Sequence, residues 1–455
     1  MITMKFGGTS VQDADAIANV VGIVRTSLPK SPVVVISAIA QATNTLEKIG
    51  RTAGEGNGAA AREEIDNLLR RHITIVNRLI RKEDLKKDLA GYIAQAGVSL
   101  HNLAAGVEKL RELTPRTMDA FCSFGELLSS RIVAAALLDA GIQAQWLDTK
   151  DFMVTDDQFN RARPVMHLVA ERLMTIVPPL LKEGKVPVTQ GFIGVTPAGL
   201  RTTMGRESSD YTGALIGSAL GAETIEIWTD VTGVLTADPR IVEKPRRVGH
   251  LTFAEAYELT YFGAKVLHPA TMHPAEARQI PIHIMNSRDP SLEGTRISTV
   301  TPAGSPAVKS VTYRNDVSVL TLAPVQRHGQ YIFWEHIYGV LTERRAEALL
   351  VNTAEYRMAA VLRSAEVAGD IGEALKDVCH IDVRTGKALL CAVGENVAAR
   401  PGVPERFLRS IGDRPVYFLS LGASPNSLAA VVDSEGIEET VRRAHAEFFG
   451  DDASR

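Results

Sequence analysis

The sequence predicts an α/β fold on a mostly parallel sheet, followed by two smaller β-α-β-β-α-β units. Three observations carry that prediction. The chain opens as strand, glycine turn, helix, strand. The run SPVVVISAI at 31–39 is almost continuously apolar, as strands are when helices cover both faces of a parallel sheet. After about Thr295, a polar stretch with two prolines and a glycine leads into shorter elements, whose order repeats after roughly 70 residues.

Taken in order, ITMKF is a strand ending at Gly7-Gly8. Ile17, Val20, Val21 and Val24 then recur at helical spacing, which predicts a helix over about 14–27. The stretch 59–111 is charged and helical in tone. Another helix follows Pro115 through FCSFGELLSSRIVAAALLDAG, with Gly141 as its stop. VPVTQGFIG at 186–194 resumes the strand–glycine pattern, and a helix starts near Ser208 or Ser209. TIEIWTD at 224–230 alternates and reads as a strand. Thr252 and Glu255 form a capping-box pattern ahead of AYELTYF, and PIHIMN is a further strand. In the tail, VSVLTLAP, IFWEHIYGVLTER, EALLVNTAEYRMAAVLR and EVAGDIGEALKDV give the first cycle. KALLCAVG starts the second.

The 455 residues carry 50 basic and 53 acidic side chains, a net charge of −3. That balance argues against a broad nucleic-acid surface but permits a local anion site. Hydrophobic residues make up 45% and aromatics only 5%, so the cores must be largely aliphatic. Cys122, Cys379 and Cys391 are odd in number and show no CxxC, which suggests neither disulfides nor a thiolate metal site. The start MITMKFGG lacks a signal-peptide pattern, and no apolar run reaches the roughly 20 residues of a membrane span. A cytoplasmic protein is expected.

Three glycine-rich turns concentrate the chemistry. Lys5-Phe6-Gly7-Gly8-Thr9-Ser10 places N–H groups and a mobile ammonium at a strand end, a layout suited to phosphate. It is not a Walker A loop, and by itself it is equally an ordinary tight turn. In TTMGRESSDYTGALIGSALG, Arg206 precedes a helix whose first turn carries Asp210; the residues could hold a carboxylate or simply cap the helix. In IWTDVTGVLTADPR, Thr229 and Asp230 end a strand, the usual rim for ligand contacts, and Asp238-Pro239-Arg240 forms a turn. Lys265 lies in FGAKVLHPAT. Glu126 follows Gly125 inside a helix, where it is either solvated or faces an ammonium. Ser37, Thr43 and Asn44 follow the apolar strand as ligands or loop caps. His268, His273 and His283 lack metal-ligand spacing.

KFGGTSV, ISAIAQATN, FGELLSS, TTMGRESSDYTGAL, IWTDVTGVLTADPR and FGAKVLHPAT stand in the order found in aspartate kinases. The chain resembles the monofunctional aspartokinases of the amino-acid kinase superfamily over about 1–298, and its tail resembles their paired ACT regulatory domains. The resemblance implies a three-layer amino-acid-kinase sandwich over 1–298. ACT-like units follow at 315–384 and 385–455, the second completed by strand 305–314. It implies phosphorylation of the L-aspartate side chain with Mg-ATP, the metal being held mainly by the phosphates rather than by protein ligands.

Carried over by motif, Lys5 and Asp210 would be catalytic. Ser37, Thr43, Glu126, Arg206 and Ser209 would bind aspartate. Lys5, Gly7, Gly8, Thr9, Thr229, Asp230, Asp238, Arg240 and Lys265 would bind the nucleotide. A homodimer and an amino-acid effector in the tail are also implied, with no membrane or nucleic-acid partner. Two departures stand out. The central loop reads Gly205-Arg206-Glu207-Ser208-Ser209-Asp210 where the family has GRGGSD. In the first ACT-like unit, His328-Gly329-Gln330-Tyr331 precedes a segment with Leu349 where lysine-binding members carry an aspartate. Weak or absent lysine inhibition is therefore expected. The competing readings are another amino-acid kinase, acting on glutamate, carbamate or a nucleotide monophosphate, and a catalytically silent regulatory protein.

Overall fold

The structure is a computed structural model that describes residues 1–205, 208–264, 267–326 and 329–450. In chain order the first elements are β1 (Ile2–Phe6), α1 (Ala14–Ser27), β2 (Pro32–Ile36), α2 (Ala42–Gly54), α3 (Gly58–Leu79), α4 (Glu83–Leu110) and α5 (Pro115–Asp139). Next come β3 (Ala144–Trp146), α6 (Met166–Lys182), β4 (Val186–Gln190), β5 (Ile193–Val195), β6 (Arg201–Thr203), α7 (Ser208–Leu220) and β7 (Ile225–Thr229). β8 (His250–Thr252), α8 (Phe253–Tyr261), α9 (Pro269–Ala277), β9 (Ile282–Asn286) and β10 (Thr295–Ser298) follow. The tail contains β11 (Ser310–Pro324), α10 (Gln330–Glu343), β12 (Ala348–Ala354), β13 (Arg357–Leu362), α11 (Ala365–Leu375) and β14 (Cys379–Val393). It ends with α12 (Val403–Ile411), β15 (Phe418–Leu421), β16 (Ser427–Asp433) and α13 (Ile437–Phe449).

The chain divides into two compact units, one of residues 1–234 with 267–299 and one of 235–266 with 300–455. In the first, strands run in the order β3-β4-β2-β1-β7-β9-β10. All neighbours are parallel except the last pair. The apolar run of β2 shows why helices lie on both faces. Val34 and Ile36 join a core with α1, α3, α4 and α5, whereas Val33 and Val35 join another with α6 and α7. Each such fully buried Val or Ile side chain stabilises the fold by roughly 1.5–3 kcal/mol.

The same logic corrects the reading of β7 as an alternating strand. Ile225 through Trp228 are all buried, because β7 lies between β1 and β9 inside the sheet. Glu226 is tolerated there because it accepts a hydrogen bond from the Trp228 indole at 3.0 Å and lies 3.7 Å from the Lys30 ammonium. The polar stretch also begins later than its composition suggests, since β10 pairs with β9 as far as Ile297↔Ile282. α5 is long and apolar enough to cross a membrane, but 83% of its apolar window is buried inside the protein. It is a core helix.

In the second unit the two repeats share one antiparallel sheet in the order β12-β13-β11-β14-β16-β15. β11 and β14, 15 residues each, run through both halves. The second cycle lacks a last strand of its own, and Ser310–Arg314 of β11 fills that place against Val393–Leu389. Register shifts near Val317 insert a residue in each long strand. The core-facing positions accordingly change from Val311 to Leu320 and Leu322 in β11. In β14 they change from Cys379 and Ile381 to Ala388, Leu390 and Ala392. The capping box at α8 forms as its sequence indicates, Thr252 Oγ1 accepting from the Glu255 N–H at 3.1 Å and Glu255 accepting from the Thr252 N–H at 2.7 Å.

Candidate active site

β1 and β7 are parallel neighbours, so Lys5 and Thr229 reach the same carboxyl edge of the sheet. Lys5 is 7% exposed, and its Nζ lies 2.6 Å from Asp210 Oδ1 in the first turn of α7. An ion pair this enclosed holds the ammonium in a fixed position. The chain after β1 forms a 3-10 turn at Gly8–Val11. The Gly7 N–H is already donated to Trp228 O at 2.9 Å. The first N–H groups of the turn, those of Gly8 and Thr9, are the ones that lack intrahelical acceptors. Gly8 is required by close approach, since a Cβ there would sit 2.9 Å from Ala38 O.

A cleft of about 750 Å³ opens in the first unit beside this turn, with Gly8, Ser37, Thr43, Glu126, Thr203 and Ser209 in its wall. Thr43 and Asn44 were expected in a loop; they lie instead in the first turn of α2, whose N-terminus lines the cleft. Exposed N–H groups and the helix dipole favour an anion there. α5 supplies the opposite chemistry. Glu126 is 3% exposed; its Oε1 accepts the Ala38 N–H at 3.0 Å, and its buried Oε2 has no partner among the described residues. Burial pushes its pKa up to about 8, against the Ala38 hydrogen bond and the nearby Lys5 charge, which lower it. A cationic group docking on Oε2 would restore the ionised form. Ser129, one turn on, donates to Ser37 O at 2.6 Å, so the FGELLSS segment fastens the loop after β2 at two points.

Asp119 and Asn160, which carry no motif signal, help shape the wall together with Thr203 from the central motif. Asp119 is 1% exposed and accepts from the Asn160 N–H at 2.9 Å, the Thr203 N–H at 2.9 Å and Thr203 Oγ1 at 2.6 Å. It ties the cleft-lining Asn160 and Thr203 to α5. Only the fold of the β5–β6 hairpin over α5 reveals it.

The nucleotide-side candidates are less gathered. Thr229 Oγ1 donates to Asp230 Oδ1 at 3.3 Å, and Asp230 lies 3.8 Å from the Arg288 guanidinium. Asp238 and Arg240 bind each other, with the Arg240 N–H and Nε both donating to Asp238 Oδ1. They belong to the second unit. Arg206 and Lys265, with Glu207 and His328, lie outside the described residues. His268 caps α9 by accepting the Ala270 N–H, and His283 bonds Glu293 O at 2.7 Å, so both have structural partners.

Residues 1–286 match the Amino acid kinase family. Lysine-sensitive aspartokinase 3 of Escherichia coli is 32% identical over 99% of both chains. Chloroplastic aspartokinase 2 of Arabidopsis thaliana is also 32% identical, over 99% of this chain and 84% of its own length. The crystal structure of E. coli aspartokinase III in complex with aspartate and ADP superposes with a TM-score of 0.81, covering 99% of this chain and all of that one. With its matched sheet, its rim lysine and relatives that run end to end, this chain belongs to the amino acid kinase family, among the aspartokinases.

Proposed function

We propose that the protein transfers the γ-phosphoryl group of ATP to the side-chain carboxylate of L-aspartate, giving 4-phospho-L-aspartate and ADP. This is the first step toward lysine, threonine and methionine. The observation that carries the reading is the Lys5–Asp210 pair at the sheet edge, in the same unit as a cleft whose wall holds the half-satisfied Glu126 carboxylate. An aspartate carboxylate is ionised at neutral pH and needs no general base. The work left to the protein is alignment and charge neutralisation.

In this scheme Lys5 offsets charge on the transferring phosphoryl group, and Asp210 positions Lys5. Glu126 receives the substrate ammonium and Arg206 its α-carboxylate. The hydroxyls of Ser37, Thr43 and Ser209 complete the polar wall. Gly7, Gly8, Thr9, Thr229, Asp230, Asp238, Arg240 and Lys265 serve the nucleotide. The magnesium ion is read as ligated mainly by the phosphate oxygens of ATP. When bound, that ion would add further charge neutralisation at the phosphates. The tail is read as the regulatory part, taking an amino-acid effector and joining two copies as a homodimer. Three unbridged cysteines suit a cytoplasmic enzyme.

A coupled ADP-release assay tests the reading, run with L-aspartate, L-glutamate, carbamate and a nucleoside monophosphate. ADP release dependent on L-aspartate is expected. Release driven by another acceptor would assign the chain to a different amino-acid kinase reaction, and no acceptor-dependent release would make it a silent regulatory protein.

A further inference from the structure

α3 belongs to the charged helical stretch that no motif marks, yet one of its side chains reaches two of the segments that build the cleft. Arg71 is half-buried, and its guanidinium donates to two main-chain carbonyls far apart in the chain. Nη1 donates to Ala40 O at 2.7 Å and Nη2 to Gln12 O at 3.0 Å. Ala40 lies in the loop after β2 and lines the cleft. Gln12 directly follows the 3-10 turn Gly8–Val11 after β1. Arg71 itself lies outside the cleft wall.

The two segments leave the sheet side by side. β1 and β2 pair as far as Phe6↔Ile36, and the Ser37 N–H still donates to Phe6 O at 3.1 Å. Past the sheet edge the Ala40 N–H donates to Gly8 O at 3.1 Å. Arg71 adds a side-chain link at the same place. Its planar fork fixes where the two carbonyls lie relative to each other, which a flexible lysine cannot do. The base of the fork is held firmly. Leu68, His72, Ile75 and Val76 of α3 are buried, and His72 Nδ1 lies 2.7 Å from Leu68 O.

In the function proposed above, the turn after β1 serves the nucleotide and the loop after β2 serves the amino acid. In-line transfer needs the two substrates held at a fixed separation and direction. Resting on that reading, we propose that Arg71 is a positioning residue for phosphoryl transfer, clamping the nucleotide-side turn to the aspartate-side loop. Because it lies outside the cleft wall, its loss leaves each binding surface its own contacts and releases their alignment.

The test uses the full-length protein in the coupled ADP-release assay, with ATP and L-aspartate varied in turn. The variants are Arg71→Ala, Arg71→Met and Arg71→Lys, each first checked for a cooperative thermal unfolding transition. Met keeps the apolar stem, so it carries the test if the Ala variant does not fold. Arg71→Ala and Arg71→Met should lower kcat about 10–100-fold, with each KM changed by less than about three-fold. Arg71→Lys, which reaches one carbonyl at a time, should fall between them and the wild type. Guanidinium chloride at sub-denaturing concentration should restore turnover to Arg71→Ala, where the space is open. It should not restore Arg71→Met, where the space is filled, and sodium chloride at the same ionic strength should restore neither. A wild-type kcat in the folded Met variant would overturn the proposal. So would a raised KM with kcat unchanged, or a loss in the folded Ala variant that guanidinium does not reverse. Absence of aspartate-dependent ADP release by the wild type would overturn the proposed function and the clamp with it; the variant outcomes, in an active wild type, would overturn the clamp alone.

Discussion

Lys5 and Glu126 lie in the same unit, and each makes a distinct prediction. Lys5 is a strand-end ammonium held by Asp210 at 2.6 Å, so its proposed work is on the phosphoryl group, not on amino-acid binding. Lys5→Ala should lower kcat on the order of 10²–10³-fold while the aspartate KM changes little. Steady-state kinetics with each substrate varied in turn would refute the assignment if KM moved and kcat did not. Glu126 has its carboxyl pKa raised to about 8 by burial, above the ordinary 4.5. The folded, ligand-free protein thus binds more protons than the unfolded chain between those values. Its stability contribution is largest below the ordinary pKa and falls as pH rises from 4.5 through about 8. Glu126→Gln should flatten that part of a thermal-unfolding profile. It should also raise the aspartate KM roughly 10–100-fold, because the ammonium loses a charged partner. An unchanged KM would remove Glu126 from substrate recognition.

At the scale of elements, most of the site's scaffold was legible in the sequence. The Gly7-Gly8 turn after an apolar strand, the helix at Ser208 and the FGELLSS helix all lie where periodicity and caps put them. The start of α2 was not legible, because Ala42, Thr43 and Asn44 carry polar and small residues typical of loops. Its N-cap Gln41 sits at φ +69°, without a side-chain cap. The sharing of β11 and β14 between two cores was equally hidden, since element order alone does not say whether repeats build one sheet or two. That sharing predicts cooperativity. Leu390 is fully buried in the half of β14 that faces α12 and α13, while the other half packs against α11. Leu390→Ala should cost about 2–5 kcal/mol. By calorimetry it should lower the melting of both regulatory halves as a single transition. A separate, unshifted transition for the Phe333–Leu375 half would show that the halves fold independently.

For the whole molecule, regulation is the property that identity to relatives predicts least. The E. coli relative is named for its lysine sensitivity, and it is 32% identical to this chain. Here Leu349 stands where the lysine-binding pattern has an aspartate. It is 3% exposed, and its carbonyl accepts from the Tyr261 hydroxyl at 2.9 Å. A buried isobutyl group cannot pair with an ammonium, and placing that charge beside it would leave the charge unpaired. Aspartate-dependent turnover should therefore be unaffected by millimolar lysine. Half-maximal inhibition at sub-millimolar lysine would contradict this. Threonine and methionine in the same assay would reveal whether the tail answers to a different amino acid.

Hydrophobic periodicity, glycine turns and an ordered set of motifs were enough to determine the α/β class, the parallel sheet, the repeated tail and the kinase resemblance. These are local signals, and each can be read within a short window of chain. The tertiary structure decided which polar groups share a surface. It joined Lys5 to Asp210, 205 residues apart in the chain, and left one Glu126 oxygen without a partner among the described residues. Charge pairing and burial depend on distance in space and on excluded water, and neither quantity is carried by position along the sequence.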